Sequence, residues 1–354
     1  MKTITEKIRQ GVSAFTEAEE SALRRAGEII KQGGLVAFPT ETVYGLGGDA
    51  LNEASARRIY AAKGRPSDNP LIVHICRFED MGKIVAEVPD AAVRIADAFW
   101  PGPITMILPK SDRVPRETTG GLNTVAVRLP SDPIARKLIG YSGGFVAAPS
   151  ANISGKPSPT AARYVAQDMD GRIDMILDGG EVGIGLESTI VDLTVTPPQI
   201  LRPGYVTQER LAQVLGEIDT DVTILRHDSN LAPKAPGMKY RHYAPKGELV
   251  IVEGDPGRVT DYMNRQAEKA RFRGERTGII GTKESLEHYR ADVVKCLGLK
   301  EDEESIARNL YAVLRQMDEE QVDRIYSESL EDRGLGQAIM NRLLKAAGHR
   351  VVRV

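Results

Sequence analysis

Short apolar runs, each cut off by proline, glycine or a hydroxyl residue and separated by segments of helical spacing, restrict this chain to sheets covered by helices. The runs fall at 35–38, 71–75, 104–108, 124–129, 144–148, 174–178 and 188–193, with helical segments near 53–63, 89–99 and 132–139. A further helix is announced by the Thr16 and Glu19 capping box and by Ala22, Ala26, Ile29 and Ile30, before a stop at Gly33-Gly34. Only a loop separates strands 104–108 and 124–129, which predicts a mixed sheet and not a purely parallel one. Residues 1–218 read as one α/β domain.

The segment 227–247 combines three prolines, two glycines and four Lys or Arg with one acid, and follows neither period. It is the candidate linker. Its prolines restrict the chain while its cations and Tyr243 stay available for a ligand, so a lid is expected there. Beyond it the pattern alternates: strand 248–252, helix 257–271, strands 277–281 and 291–296, helix 303–317, strand 322–327, helix 335–347 and strand 350–353. A smaller, parallel, Rossmann-like α/β domain over 248–354 is the expectation.

Composition narrows the function classes. The 354 residues are enough for two cored domains, and no apolar run nears the roughly 20 residues of a membrane span. MKTITEKIRQ has no apolar stretch or cleavage site behind it, so a cytoplasmic protein is expected. Cys76 and Cys296 lie far apart without ligand spacing, which argues against a zinc site or a disulfide framework. Lys and Arg number 47 against 49 Asp and Glu, so any nucleic-acid contact is local or indirect. No GxxxxGK[ST], HExxH or GxSxG is present. Gly334-Leu335-Gly336 resembles a dinucleotide turn, but Ile339 stands where the third glycine belongs.

Chemistry concentrates in the polar loops. Pro39 to Gly47 sets Thr40, Glu41 and Thr42 directly after a strand, where α/β folds form ligand crevices, although such a turn also serves structure alone. Lys63 and Arg65 flank Gly64 in a Gly/Pro-locked loop, a pattern that suits a polyphosphate or else closes a helix end. His74 sits on the opposite strand face from Leu71, Val73 and Ile75, as a satisfied core histidine or a ligand contact. Thr124, Ala126 and Arg128 share one strand face, and a buried Arg128 requires an anion. Pro149 to Gly155 forms an anion nest or an ordinary Asn/Ser/Gly turn.

Together PTETVYGLG (39–47), KGRPSDNPL (63–71), TVAVRLP (124–130), APSANISG (148–155), ESTIVDL (187–193) and LRPG (201–204) resemble the YrdC-like L-threonylcarbamoyladenylate synthases. APGMKYRHYAP (235–245) and GLGQAIMNRLLKAA (334–347) resemble their longer, two-domain form. The resemblance implies a YrdC-like mixed twisted sheet that makes L-threonylcarbamoyl-AMP from L-threonine, bicarbonate or CO2, and ATP, with Mg2+ arriving on ATP. Pyrophosphate would leave, and partner proteins would use the product to modify tRNA beside the anticodon. By motif, Thr40, His74, Arg128, Ala148 and Ser188 would face threonine. Lys63, Arg65, Ser67, Thr124, Ser150, Asn152, Ser158, Arg202 and Tyr243 would face ATP, with Lys63 and Arg65 closest to the chemistry. The alternative from another class is an RNA-binding translation or ribosome-maturation factor; hydrogenase-maturation carbamoyltransferases share the domain but add cysteine-rich zinc fingers, which this sequence lacks.

Overall fold

The computed structural model describes residues 2–12, 14–221 and 242–354. The described residues form two compact units, one of 2–154, 158–183 and 187–221, the other of 155–157, 184–186 and 242–354. Most of the expected lid, 227–241, lies outside the described residues.

The first unit runs β1 (Ile4–Lys7), α1 (Glu17–Lys31), β2 (Val36–Phe38), β3 (Gly45–Asp49), α2 (Glu53–Lys63), β4 (Ile72–His74), α3 (Asp90–Phe99), β5 (Ile104–Pro109) and β6 (Thr124–Arg128). It continues through α4 (Pro133–Tyr141), β7 (Val146–Ala147), α5 (Ala162–Met169), β8 (Met175–Asp178), β9 (Thr189–Asp192), β10 (Gln199–Arg202), α6 (Gln208–Leu215) and β11 (Asp219–Thr220). The strands make one mixed sheet in the order β1-β8-β2-β3-β7-β4-β6-β5-β9-β10-β11. Thr16 caps α1 as its sequence requires: Glu19 N–H donates to its hydroxyl, and Thr16 N–H donates to the Glu19 carboxylate at 2.7 Å.

Alternation along the strands sorts the two sheet faces. Leu35, Ala37, Val73, Val127 and Met106 enter the main core. On the other face, Leu23 and Ile30 of α1 and Leu138 of α4 cover Val36, Phe38 and Leu177. Farther along that face Ile72, Ile107, Ala126, Ile190 and Leu201 form a separate apolar patch. A polar row formed by His74 and Arg128, paired across β4 and β6, and Thr105, paired with Arg128 across β5 and β6, belongs to neither cluster.

β3 is an element that the sequence reading leaves as a loop. Its Gly-Leu-Gly-Gly-Asp run has poor strand propensity, yet pairing with β2 and β7 makes it a strand. The glycines are needed for packing: a Cβ at Gly47 would lie 2.9 Å from both Phe38 and Val146. β1, β10, β11, α5 and α6 also lack a counterpart in the sequence reading, because short elements are set by their partners more than by local pattern.

The second unit alternates as expected: β12 (Glu248–Glu253), α7 (Pro256–Phe272), β13 (Thr277–Gly281), β14 (Val293–Cys296), α8 (Glu303–Glu319), β15 (Arg324–Glu328), α9 (Gly334–Ala346) and β16 (Val351–Arg353). Its sheet, β14-β13-β15-β12-β16, is wholly parallel. The two glycines at the start of α9 have backbone explanations: a Cβ on Gly336 would fall 2.1 Å from the Glu331 carbonyl oxygen, and Gly334 has a φ of 54°.

Gly47→Ala should destabilise the chain by about 1–3 kcal/mol through overpacking. Gly82→Ala, where a Cβ meets nothing within 4 Å, should stay within about 1 kcal/mol of the parent. Urea denaturation of both variants measures the contrast, and equal midpoints would contradict the packing role of Gly47.

Candidate active site

Arg128 ends β6 and is 4% exposed, so its guanidinium must find compensation inside the fold. Glu41, in the turn after β2, brings Oε1 to 2.8 Å from an Arg128 Nη2. This is the acidic partner that the sequence demands of a buried arginine. The pair is close but poorly aimed: Nε and Nη2 of Arg128 and both Glu41 carboxylate oxygens are buried without a hydrogen-bond partner.

His74 ends β4 beside Arg128 and meets Phe38 edge-on at 6.4 Å. Burial, aided by the Arg128 charge, pulls its pKa down to about 3, so the ring is neutral at physiological pH. Its Nδ1 lies 3.2 Å from the Ile72 carbonyl oxygen, and a carbonyl only accepts, so this nitrogen donates. Thr40 ties the neighbouring turn, donating to Val43 O at 2.7 Å and accepting from Thr42 N–H at 3.1 Å. Across β5, Thr105 shares a 2.7 Å hydrogen bond with Ser188, and Arg202 donates to Ser188 through its carbonyl at 3.0 Å and its hydroxyl at 3.1 Å. The Glu41–Arg128 pair, His74, and the Thr105–Ser188–Arg202 chain of hydrogen bonds are brought together by strand register, with Arg128 opposite His74 on β4 and opposite Thr105 on β5, while Thr40 adjoins Glu41 in the turn.

A second group is built around the loop after β7. Lys63 is the last residue of α2 and 1% exposed, which corrects the expectation that both cations lie in a loop. Its ammonium donates to the Ser150 and Asn152 carbonyl oxygens. Arg65 is also buried, bonded to Asn69 O at 3.3 Å and Pro70 O at 3.1 Å. Ser150 donates to the Asn152 side chain at 2.5 Å, while Ala148 N–H joins the loop to β4 through Ile72 O at 2.9 Å. Ser158 donates to Glu187 Oε1 at 2.6 Å, next to Ser188.

Three further predicted residues have other settings. Thr124 starts β6 and so lies about 13 Å of strand from Arg128. Ser67 is exposed. Tyr243 belongs to the second unit, where its ring packs 5.1 Å from that of Tyr311 and its φ is 64°. Sequence reading places Glu41 in a ligand-crevice turn without pairing it with Arg128, and assigns no role to Asp132. Asp132 precedes Pro133 and caps α4, accepting from Ala135 N–H at 3.0 Å, and its one sequence signal is that Asp-Pro helix start. A cavity of about 1310 Å³ opens in the second unit against Glu253, Thr282, Ser285 and Glu328. The polar network of the first unit remains the better candidate, because it contains buried hydrogen-bonding atoms with no partner.

Burial raises the Asp132 carboxyl to about 6, and the Glu41 charge adds to the shift against the Ala135 N–H. A raised carboxyl favours the folded state below its ordinary value of 3.8, and that contribution is lost as pH rises through about 6. Asp132→Asn keeps a capping oxygen but cannot titrate. The parent should therefore lose roughly 3 kcal/mol of stability relative to this variant between pH 3.5 and 7. Urea unfolding across that range checks it, and parallel profiles would rule it out.

Two families match in tandem. The Sua5/YciO/YrdC family, described as "Telomere recombination", covers residues 28–204, and the family "Threonylcarbamoyl-AMP synthase, C-terminal domain" covers 206–348. The threonylcarbamoyl-AMP synthase of Pyrococcus abyssi is 51% identical over 95% of this chain and 97% of its own length. That of Bacillus subtilis is 47% identical over 94% of each. The crystal structure of P. abyssi Sua5 complexed with L-threonine superposes with a TM-score of 0.93 at 49% identity, over 99% of this chain and 100% of the other. Both domains and nearly the whole length being matched, this chain is an enzyme of the threonylcarbamoyl-AMP synthase family.

Proposed function

We propose that the protein condenses L-threonine, bicarbonate or CO2, and ATP into L-threonylcarbamoyl-AMP with release of pyrophosphate. The product would be the donor from which partner proteins modify an adenosine beside the tRNA anticodon, in the cytoplasm. The observation that carries the reading is Arg128, a buried guanidinium with hydrogen-bonding atoms unfilled at the carboxyl end of a sheet strand. That is a receptor for a small carboxylate. A P. abyssi relative crystallised with L-threonine supports the choice of carboxylate.

In this reading Arg128 takes the threonine carboxylate, and Thr40, neutral His74, Ala148 and Ser188 shape the pocket around it. Having lost its ammonium proton to solvent, the amine forms an N–C bond to the carbon of CO2, with loss of a second proton to solvent, or to that of bicarbonate, with loss of water; the carbamate so formed presents an anionic oxygen. That oxygen attacks the α-phosphorus of ATP, the bond to the β-phosphate breaks, and pyrophosphate departs with the electron pair. Such a nucleophile needs alignment and charge neutralisation more than a strong base. Lys63 and Arg65 supply positive charge behind the 150–152 and 66–70 loops while holding their backbones. Ser67, Thr124, Ser150, Asn152, Ser158, Arg202 and Tyr243 are assigned to ATP. Mg2+ bound to the triphosphate would neutralise its charge, and no group of three His, Cys, Asp or Glu among the described residues forms a cage for it.

Incubation with ATP, Mg2+, threonine and labelled bicarbonate should place the label in a new adenylate seen by mass spectrometry. Failure to form it in a preparation that binds ATP would overturn the reading, and would leave the RNA-binding alternative to a tRNA affinity measurement. Arg128→Lys should raise KM for threonine more than KM for ATP, since lysine keeps the charge but loses the two-pronged geometry. An equal effect on both substrates would reassign Arg128.

A further inference from the structure

Glu41 has no part in the function above, yet it is the group that Arg128 faces. The pair leaves four hydrogen-bonding atoms unfilled, Nε and Nη2 on the arginine and both oxygens on the glutamate, all buried. Holding two charges out of water is costly unless their remaining donors and acceptors are satisfied, and here they are not. Asp132 differs in this respect, because one of its oxygens already accepts the Ala135 N–H that caps α4.

The unfilled atoms have the pattern of an amino acid in negative. Two N–H donors match an α-carboxylate, and two carboxylate oxygens match an α-ammonium group. The Glu41–Arg128 pair has no net charge, nor has a zwitterion. Exchanging one partner for the other brings no unbalanced charge into the pocket, and the 2.8 Å contact between Glu41 and Arg128 gives way to two better-aimed ones. A substrate without an amine would leave Glu41 buried and uncompensated, so the same residue discriminates against simple hydroxy acids.

We propose that Glu41 binds the α-ammonium group of the amino-acid substrate, forming with Arg128 a two-sided clamp into which the zwitterion wedges. The proposal rests on the reading that Arg128 receives the threonine carboxylate. It makes Glu41 a specificity-determining residue of that site.

Calorimetric titration of the full chain separates the two ideas. The ligands are L-threonine, (R)-3-hydroxybutyrate, which is threonine without its amine, and ATP; the proteins are the parent and Glu41→Gln. The variant should bind threonine roughly 10- to 100-fold more weakly, the range for losing a hydrogen bond to a charged group. It should bind 3-hydroxybutyrate as well as the parent or better, and ATP unchanged. Threonine binding equal to or tighter than that of the parent would overturn the proposal, leaving Glu41 as a stand-in for the substrate carboxylate. Parallel loss of 3-hydroxybutyrate would overturn it too, because Glu41 would then act by holding Arg128 or the turn. If the parent itself fails to bind threonine, the functional reading falls and this inference with it; if only the Glu41→Gln contrast fails, the function stands.

Discussion

A guanidinium buried inside a sheet sets the terms for the first unit. Arg128 is 4% exposed, and its charge is tolerable only because a carboxylate stands beside it. Burial, reinforced by the same charge, keeps His74 neutral on the adjoining strand, so the row does not accumulate cations. Apolar residues cannot continue through this row. The sheet face accordingly divides into the cluster under α1 and α4 and the smaller one around Ile72 and Ala126. The unpartnered hydrogen-bonding atoms of Glu41 and Arg128 belong to neither apolar cluster.

A second cation organises the neighbouring loop by another route. Lys63 spends its ammonium on backbone carbonyls of Ser150 and Asn152, and the Lys63 carbonyl accepts the Ser154 N–H at 2.9 Å. The end of α2 and the loop after β7 are thereby bonded in both directions. Removing this lysine would leave buried carbonyls unsatisfied besides removing a charge, so a loss of activity on its substitution would mix stability with chemistry. Arg202 plays a comparable part under Ser188, bracing the entry to β9 from β10.

Much of this was legible in the residues. The capping box at Thr16, the strand expected at 124–129 and the face that Arg128 shares with Thr124 and Ala126 follow from local pattern, and the alternating second unit matches its expected order element by element. β3 was not legible: three glycines in five residues read as a loop, and it takes the crowding of Gly47 by Phe38 and Val146 and of Gly48 by Ile59 and Leu35 to explain why the strand carries glycine at these positions. Lys63 read as a loop cation because helix α2 is expected to end near it, and nothing local tells an exposed ammonium from one pointed at carbonyls 87 and 89 residues away.

The sequence alone determined which side chains share a strand face and where helices begin. It also determined that Arg128, if buried, requires an anion. Those follow from periods of 2 and 3.6 residues and from the cost of burying a charge, which are properties of the chain itself. Only the tertiary structure decided which anion that is. Glu41 lies 87 positions from Arg128 in the sequence and comes within 2.8 Å of it because β2 and β6 are strands of the same sheet, an arrangement set by long-range pairing and by packing across both faces. Pair identity is a consequence of topology, and topology is a cooperative outcome that no local window contains.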